Sequence, residues 1–404
     1  MNILVVTQYY WPENFRINDL VSVLVNRGHQ VTVLTGIPNY PTGIADADFL
    51  ANPSNYNMHD GANIIRVPMI TRGKGGLKLV VNYISFALSA SVIGVYKLRK
   101  YKFDSVFAFE PSPITVGLPA ILLRKIKNAP LIFWALDLWP DTLKAIGVVR
   151  SKYILSVVGW LVSFIYKRCD LVLGQSESFL PHIKKYAGHD RIEYFPSWAE
   201  SVFQYVPTAL LTDEPVKSQF NVMFAGNIGE AQDFSSVLYA MELLKNDSRI
   251  HWTIVGSGRL SEWLENNVIS RGLSDSVTLA GRHPVEKMPE FFQQADALLV
   301  SLKDEPIFSM TIPGKLQAYL MADKPILAML NGDGAKIIID SGCGIVCEAG
   351  NGQCLADAVC RLIEMTDEER LMMGNRGREL SEREFDRNML ISRLEDWMIQ
   401  LSTQ

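Results

Sequence analysis

Short apolar runs alternate with stretches of helical spacing along almost the whole 404-residue chain. In the first repeat, an apolar run at Ile3–Thr7 precedes a helical pattern at Phe15–Arg27, a helix-ending glycine at position 28 and a second apolar run at Gln30–Thr35. Such strand–helix–strand units produce parallel sheets covered by helices. The alternation therefore predicts an α/β protein, and the polar residues after Thr7 argue against a signal peptide.

A polar, proline-containing segment at Pro207–Lys217 divides the alternation into two series, and the chain is too long for one hydrophobic core. The first series adds predicted strands at Ile64–Val67, Ser105–Phe109, Leu131–Ala135 and Leu171–Gly174. The second has them at Asn221–Phe224, His251–Val255, Val277–Ala280, Ala297–Ser301, Pro325–Met329 and Gly344–Cys347. We therefore predict two Rossmann-like, doubly wound domains, residues 1–207 and 208–385, facing each other across a cleft, with a helix in 386–404 crossing back to the first domain.

Composition narrows the possible functions. The chain is 48% hydrophobic and 20% charged, as globular proteins are. Its five cysteines show no CxxC spacing and favour a reducing compartment over a disulfide framework or a zinc site. Residues 1–200 carry 21 Lys and Arg against 14 Asp and Glu, whereas residues 201–404 carry 18 against 29. The halves are therefore predicted to meet different partners, and the acidic total argues against nucleic acid.

Glycines follow three successive predicted strands of the second domain, in AGNIGEAQDF, VGSGRL and AGRHP. A glycine lets the backbone approach a ligand closely, and a helix N-terminus attracts anions. One such turn is ordinarily only a turn, but three at one sheet edge predict a binding site that contains Gly226, Asn227, Gly229, Gly256 and Gly258. The GxGxxG pattern is absent, which argues against a nicotinamide cofactor, and no other cofactor is predicted.

Lys315 lies in the first turn of a predicted helix, directly after the sequence TIPG. There its ammonium group can meet a diphosphate, with the helix dipole adding to the attraction. The alternative is a surface lysine on an amphipathic helix. Because the proline and glycine fix the start of this helix at the sheet edge, we favour the binding role.

These segments, together with IPGKLQAYLMADKPILA, resemble the donor-binding half of the retaining family 4 glycosyltransferases of the GT-B fold. The opening ILVVTQYYWPENFRINDL and the central FWALDLWPDTL resemble the acceptor half of the same family. The similarity spans nearly the whole chain and is greatest to the O-antigen and colanic-acid subgroup, which includes L-fucosamine transferases. It implies that Lys315 contacts the donor diphosphate, that the loop Gly226–Gly229 packs beside the phosphates and the reacting sugar, and that Arg282 lies beside the nucleotide base.

Two departures from the family pattern affect the predicted donor site. The glutamate with which the family binds ribose falls on Ala318. The phosphate-binding arginine and lysine of the family fall on Asn227 and Gln232. The resemblance therefore implies a rearranged site, to which we assign Glu305, Thr311 and backbone amides.

Polar residues also follow the predicted strands of the first domain. Glu13, Asn14 and Arg16 come after the first strand, where they could bind an acceptor or cap the next helix. Asp137 lies near Trp139 in ALDLWPDT, where burial could raise its pKa and let it take the acceptor proton, or where it could cap a loop. We predict that the catalytic residues are Asp137, Glu13 and Asn227, and that the acceptor-binding residues are Asn14 and Arg16.

The resemblance implies a retaining, front-face transfer in which the leaving diphosphate helps to accept the acceptor proton. The protein then supplies positioning and charge stabilisation. The only DxD-like pair that we identify, Asp46 and Asp48, lies in a loop rich in Gly, Ala and Pro instead of at a strand end. A metal-independent reaction without a metal site is therefore expected.

Residues 61–103 contain no acidic residue but eight basic ones, and the apolar stretch LVVNYISFALSASVIGVY lies between Lys78 and Lys97. A membrane-spanning helix needs about 20 mostly apolar residues, whereas this stretch is short and contains one Asn and three Ser. Of two interpretations, a buried helix with basic ends and a basic, apolar patch near 72–102 that rests on anionic lipid, we favour the second. The protein is expected in the cytoplasm, peripheral on the inner face of the cell membrane.

The predicted function is transfer of a sugar from a UDP-sugar to an undecaprenyl-diphosphate-linked acceptor in bacterial O-antigen biosynthesis. By resemblance, the sugar is N-acetyl-L-fucosamine or a related deoxy-amino sugar. Two alternatives stay open. A UDP-sugar 2-epimerase of the same shape would need an acid–base set of carboxylate and histidine, whereas a catalytically inactive donor-binding partner would suit the departures at Ala318 and Asn227.

Overall fold

The computed structural model describes residues 1–40, 42–73, 76–145, 147, 149, 151–204 and 219–403. They form two compact units, Met1–Pro196 with Asn388–Gln404, and Ser197–Arg387. Phe203 belongs to the second unit, where it is buried and stacks on Phe292 with 5.6 Å between ring centroids. The predicted boundary between residues 207 and 208 lies outside the described residues and stays a prediction. The predicted linker Pro207–Lys217 lies outside the described residues.

The first unit is built on an eight-stranded sheet with the strand order β3-β4-β2-β1-β5-β6-β7-β8. Neighbouring strands are parallel except in the β3–β4 hairpin. The strands are β1 (Asn2–Val6), β2 (Gln30–Thr35), β3 (Met58–His59), β4 (Ala62–Arg66), β5 (Ser105–Glu110), β6 (Leu131–Ala135), β7 (Leu171–Gly174) and β8 (Ile192–Tyr194). The central strands β5 and β6 are buried over their whole length, which explains their continuous apolar sequences.

Helices cover this sheet. They are α1 (Arg16–Asn26), α2 (Ala47–Ala51), α3 (Gly76–Ser89), α4 (Val95–Leu98), α5 (Gly117–Lys127), α6 (Asp141–Ala145), α7 (Lys152–Tyr166) and α8 (Phe179–Ala187), with a π-helical turn at Ala90–Gly94 between α3 and α4. Connections between parallel strands are right-handed, so α3, α5, α7 and α8 lie on one face of the sheet and α1 on the other. Contacts of α5 with both α3 and α7 agree with this arrangement.

The second unit contains a six-stranded, fully parallel sheet with the order β11-β10-β9-β12-β13-β14. Its strands are β9 (Phe220–Ala225), β10 (Ile250–Val255), β11 (Val277–Gly281), β12 (Ala297–Ser301), β13 (Ile326–Met329) and β14 (Gly344–Cys347). Its helices are α9 (Phe234–Leu244), α10 (Ser261–Ser270), α11 (Met288–Gln294), α12 (Pro306–Ser309), α13 (Gly314–Leu320), α14 (Asp333–Ser341), α15 (Gly352–Glu364) and α16 (Asp367–Glu384). Both units therefore have the predicted doubly wound α/β architecture, and the carboxyl ends of each set of parallel strands share one edge.

The last helix, α17 (Arg387–Ser402), packs on the first unit. Glu395 accepts a hydrogen bond from Arg27 and lies 2.7 Å from His29 Nε2. Arg393 donates to the carbonyl of Tyr194 at 2.8 Å. The chain thus returns to its first unit after completing the second.

The helical segment Lys78–Leu98 is the one described segment that is long and apolar enough to cross a membrane. One side of it packs into the first unit, where Phe86 and Asn82 are fully buried. The amide of Asn82 accepts from Gln8 at 2.7 Å and donates to the carbonyl of Ile70 at 2.6 Å. These hydrogen bonds tie the segment to the sheet, and its other side exposes apolar residues, among them Leu88 and Val92.

Candidate active site

Two glycine loops interlock at the carboxyl edge of the second sheet. Gly226 follows β9 and Gly256 follows β10, with φ angles of 143° and 137°, a conformation that side chains disfavour. The N–H of Gly226 donates to Val255 at 2.9 Å, and the N–H of Gly256 donates to Gly281 at 2.7 Å. A Cβ atom on Gly256 would lie 1.8 Å from the carbonyl oxygen of Gly226. Only glycine therefore allows this approach of the two backbones.

The other two predicted glycines extend the same contact. A Cβ atom on Gly258 would lie 2.2 Å from the carbonyl oxygen of Ile228 and 2.7 Å from Oδ1 of Asn227. A Cβ atom on Gly229 would lie 2.6 Å from Nδ2 of Asn227. The structure thus brings the four glycines and Asn227 together, as the sequence predicted, and it gives the glycines a packing role beyond any role in binding.

Lys315, the second residue of α13, reaches these loops from the neighbouring part of the sheet edge. Its Nζ would lie 3.0 Å from a Cβ atom on Gly226 and is 3.3 Å from the ring centroid of Phe224. The Nζ atom is buried and has no hydrogen-bond partner among the described residues, and burial lowers the pKa of Lys315 well below its usual range. A buried ammonium group without an anion is costly, so this position favours an anionic ligand.

Tyr319 holds α13 in place, and sequence reasoning did not identify it. Its hydroxyl accepts the N–H of Ala225 at 2.8 Å and donates to the carbonyl of Ala225 at 3.2 Å. The hydroxyl thereby fastens the helix to the end of β9, one turn away from Lys315. Ala318, where the family has a glutamate, is buried.

The remaining predicted donor residues lie on other loops of the second unit. Arg282 is exposed just after β11. Glu305 precedes α12 without capping it through its side chain. Thr311 donates its hydroxyl proton to the carbonyl of Ile307 at 2.9 Å. None of these contacts joins the three residues to the glycine loops or to Lys315, so their assignment to the donor stays a prediction.

In the first unit, Glu13 fastens the loop after β2. It is buried, and its Oε1 accepts the N–H groups of Asn39 at 2.7 Å and Tyr40 at 2.6 Å. Burial raises its pKa to about 7, although these bonds and the charge of Arg66 act in the opposite direction. The carboxyl group predicted to be catalytic thus has a clear structural role.

The neighbouring predicted acceptor residues do not cap α1. Arg16 is the first residue of that helix, and the residue before it, Phe15, forms no side-chain capping bond. Asn14 is exposed. Asn18 organises the turn instead, by donating to the carbonyl of Glu13 at 2.8 Å. Helix capping therefore does not account for Asn14, and acceptor binding stays its predicted role.

A pair of carboxyl groups lies further along the same sheet edge. Glu110 ends β5, and Asp137 follows β6 by two residues, with its N–H 3.4 Å from Oε2 of Glu110. Burial raises the pKa of Asp137 to about 7, as the sequence led us to expect, although the residue keeps part of its surface accessible. Burial, and then the charge of Asp137, raise the pKa of Glu110 well above its usual range. Glu110 was not predicted, because it ends the apolar run SVFAFE without any motif.

Both units match glycosyltransferase domains. Residues 219–365 match the family model described as glycosyl transferases group 1, and residues 14–198 match the glycosyl transferase 4-like domain. The predicted resemblance is thereby confirmed at the level of the domains. The narrower resemblance to L-fucosamine transferases stays a prediction.

Two bacterial proteins are similar over much of the chain. "Probable glycosyltransferase WbjE" of Pseudomonas aeruginosa is 27% identical in an alignment of 268 residues that covers 60% of this chain and 64% of WbjE. WcaI of Escherichia coli, assigned to colanic acid biosynthesis as a glycosyl transferase, is 26% identical in an alignment of 322 residues that covers 75% of this chain and 77% of WcaI. The chain thus spans just under two thirds of the first relative's length.

Among solved structures, HepE of Anabaena in complex with UDP and glucose has 14% sequence identity and a TM-score of 0.71, covering 99% of this chain and 100% of HepE. At this identity the likeness concerns the fold alone. The chain has the GT-B fold, as predicted, and each of its two units matches the model of one glycosyltransferase domain.

Proposed function

We propose that this protein is a retaining glycosyltransferase that moves a sugar from a UDP-sugar to a lipid-linked acceptor during bacterial surface polysaccharide biosynthesis. The observation that carries the proposal is the buried, unpartnered ammonium group of Lys315 beside Gly226. The domain matches support the reaction class. The assignment of WcaI supports polysaccharide biosynthesis, and the UDP complex of HepE supports UDP as the nucleotide.

A diphosphate suits Lys315 for electrostatic reasons. Opposite charges attract more strongly in a site from which water is excluded, so a phosphate oxygen would compensate the desolvation of the ammonium group. The backbone at Gly226 leaves room for close approach, because a side chain there would crowd the Nζ atom. The same contact would stabilise the diphosphate as its negative charge increases during departure.

Residues of this chain would then perform the remaining steps by positioning and proton binding. Lys315 and the Asn227 amide would hold the donor. Asp137, whose pKa of about 7 suits a general base, would take the proton of the acceptor hydroxyl, and an oxygen of the leaving diphosphate would assist by hydrogen-bonding that proton. Since Lys315 supplies the positive charge that the leaving group needs, we propose a metal-independent reaction with no cofactor. Arg282 would lie beside the base, and Glu305 and Thr311 near the ribose.

The sugar and the acceptor follow from the resemblance. We propose N-acetyl-L-fucosamine or a related deoxy-amino sugar as the transferred group, and an undecaprenyl-diphosphate-linked sugar as the acceptor. Purified full-length protein should be incubated with a panel of UDP-sugars and such acceptors, with product length and anomeric configuration as the readouts. A longer acceptor with the donor's configuration is expected. Epimerised free donor would favour a UDP-sugar 2-epimerase, and UDP-sugar binding without turnover would favour an inactive donor-binding partner.

A membrane location is the second part of the proposal. Along Lys78–Leu98, the apolar residues Ile84, Leu88, Val92 and Tyr96 recur every four residues and are about half to two-thirds exposed. Exposed basic residues follow at the end of this segment, namely Lys97, Arg99 and Lys100. An exposed apolar stripe with basic ends suits the anionic, cytoplasmic face of a membrane.

Helix α7 adds a second apolar surface on the same face of the sheet. Tyr153, Val157 and Trp160 are exposed there, the first by 87%. Tyrosine and tryptophan favour the boundary between lipid and water. The exposed sides of these helices support peripheral binding, whereas a spanning helix would have to break the hydrogen bonds of the buried Asn82.

Vesicle flotation tests this location. The full-length protein is expected to float with anionic vesicles at low salt and to be released by high salt. Leu88→Glu, at a 64% exposed position of the stripe, should weaken flotation, while Leu371→Glu, at a 54% exposed position of the second unit, should not. A wild-type protein that stays in the soluble fraction at low salt would contradict peripheral binding.

A further inference from the structure

The register of the sheet places Glu110 and Asp137 next to each other. Glu110 pairs with Ala135 across β5 and β6, and Asp137 follows two residues later. The backbone N–H of Asp137 points to Oε2 of Glu110 at 3.4 Å. Two acidic residues therefore lie next to each other at the carboxyl ends of neighbouring strands.

Nothing in the described part of the chain neutralises this pair. Glu110 is fully buried, its Oε1 has no hydrogen-bond partner, and no described cation pairs with either carboxyl group. A partly buried carboxyl group elsewhere in this unit does have a cation beside it, since Asp170 receives two hydrogen bonds from Arg124 at 2.6 and 2.5 Å. Two neighbouring carboxylates without a cation, one fully and one partly buried, repel each other, so one of them must keep its proton.

In the part of the chain that the structure describes, the three aromatic side chains that face the pair are neutral at pH 7. Tyr83 comes from α3, Trp139 from the segment after β6, and Tyr166 from α7. The indole of Trp139 lies beside Glu110 without reaching full hydrogen-bonding geometry, and the hydroxyl of Tyr166 has no hydrogen-bond partner among the residues that the structure describes. Burial raises the pKa of both tyrosines, so they are neutral in this environment.

The backbone next to the pair is strained. Ser112, two residues after Glu110, has a φ angle of 120°, which is rare for any residue other than glycine. Its side chain lies beside Tyr83, which faces the pair. Such strain persists only where the surrounding structure enforces it, and it is concentrated at functional sites.

We propose that Glu110 and Asp137 act as one acid–base unit that holds a single proton at neutral pH. Glu110 is the positioning residue, which carries that proton and fixes the backbone of Asp137. Asp137 is the carboxylate that a ligand can reach, since it alone of the two keeps accessible surface. The role of Asp137 toward an acceptor rests on the proposed transferase function. The proposal that the pair holds a single proton does not depend on that function.

Carboxyl titration of the full-length protein without substrates tests the unit. Asp and Glu side chains labelled with carbon-13 are followed by NMR against pH in the wild type, Asp137→Asn and Glu110→Gln. Asp137→Asn should lower the midpoint of Glu110 by about one pH unit or more, because a like charge is removed. Glu110→Gln should leave the midpoint of Asp137 almost unchanged, because glutamine resembles the protonated glutamate.

The exposed Asp190 supplies the control. Asp190→Asn should move neither midpoint, since this residue pairs with Lys184 at the surface. Two ionised carboxylates at pH 7 in the wild type would overturn the proposal. So would a Glu110 midpoint that Asp137→Asn leaves in place.

Turnover supplies a second readout once a substrate is known. Glu110→Gln should keep most of the activity, and Glu110→Ala should lose about tenfold or more, because Asp137 is then no longer held. Equal losses in the two variants would overturn the positioning role. A wild type without transferase activity would contradict the proposed function alone, because the NMR titration still decides whether the proton is shared.

Discussion

The two sheet edges carry buried charges of opposite sign, and each is opposite to the net charge of its own half of the chain. The basic first half contains the uncompensated carboxyl groups of Glu110 and Asp137, whereas the acidic second half contains the uncompensated ammonium group of Lys315. Net charge is spread over the surface and governs solubility and long-range attraction. The difference teaches that the chemistry of a site depends on which groups are buried without a partner, and that overall charge can conceal it.

The largest expected effect concerns the cation. Lys315→Ala should lower kcat/KM about 10²- to 10³-fold, since a positioned charge on a leaving group contributes about 3–4 kcal/mol to transition-state stability. Steady-state kinetics with the identified donor would measure it. Lys303→Ala is the matched control, because Lys303 is partly exposed and pairs with Glu230 at 3.0 Å. An equal loss of kcat/KM in both variants would contradict the proposed role of Lys315 in stabilising the leaving diphosphate.

The next prediction concerns the close contact between the loops at Gly226 and Gly256, and it tests whether this contact stabilises the second unit. Gly256→Ala should destabilise the second unit by about 3 kcal/mol or more, because a Cβ atom would meet the carbonyl of Gly226 at 1.8 Å in addition to the cost of the φ angle. Gly272→Ala has only the φ cost, about 1 kcal/mol, since its surroundings are open. Urea unfolding of the two variants would measure the difference, and similar values would show that the loops can separate easily.

A third prediction compares an unpaired acid with a paired one in the first unit. The folded-state pKa of Asp137 is raised to about 7, so its contribution to stability is full below pH 3.8 and is lost as the pH rises through about 7. For Asp170, burial raises the pKa, but the bonds from Arg124 and from the N–H of Leu131 outweigh burial and lower it. Its contribution is therefore present above pH 3.8 and is lost as the pH falls through its folded-state pKa.

The free energy of unfolding measured against pH tests this contrast. Asp137→Asn should remove a decline of roughly 2–4 kcal/mol between pH 4 and 7, because the pKa of Asp137 is raised to about 7. Asp170→Asn should remove a decline on the acid side, because the pKa of Asp170 is lowered. The slopes lost in the two variants should therefore have opposite signs. Slopes of the same sign would mean that Asp137 has a partner in solution.

The smallest effect is a proton taken up with the nucleotide. Burial lowers the pKa of Lys315 in the free protein, and a bound diphosphate should raise it again, so UDP binding should take up as much as one proton. UDP affinity should then fall as the pH rises through the pKa of the free protein. Isothermal titration calorimetry in two buffers with different ionisation enthalpies would detect the proton, and Lys315→Ala should abolish the uptake.

The sequence revealed the architecture well because parallel strands are buried on both faces. The apolar runs at Gln30–Thr35, Leu131–Ala135, Leu171–Gly174 and Ala297–Ser301 coincide with observed strands. The strands β3 and β8 were missed, since they have two and three residues and lie at the sheet margins, where side chains are half-exposed. Short edge strands lack the continuous apolar run on which the prediction depended.

The site was predicted only in part, and the missing residues share one physical reason. Glycines and Lys315 were visible because they stand at fixed positions after strands. Glu110 and Tyr319 act through neighbours 27 and 94 positions away in the chain, and no local pattern records such contacts. Conversely, the pKa of Glu13 is raised because the carboxyl group is buried where it holds the loop at Asn39 and Tyr40. The position of Glu13 in the sequence does not reveal this structural role.

The path of the chain has a consequence for synthesis. Helix α17 contributes Glu395 to the partners of Arg27 and His29, which precede it by 368 and 366 positions. The first unit therefore stays incomplete on the ribosome until the second has been translated. A stop codon shortly before residue 387 would spare every described strand and yet remove the contacts of α17 from the first unit.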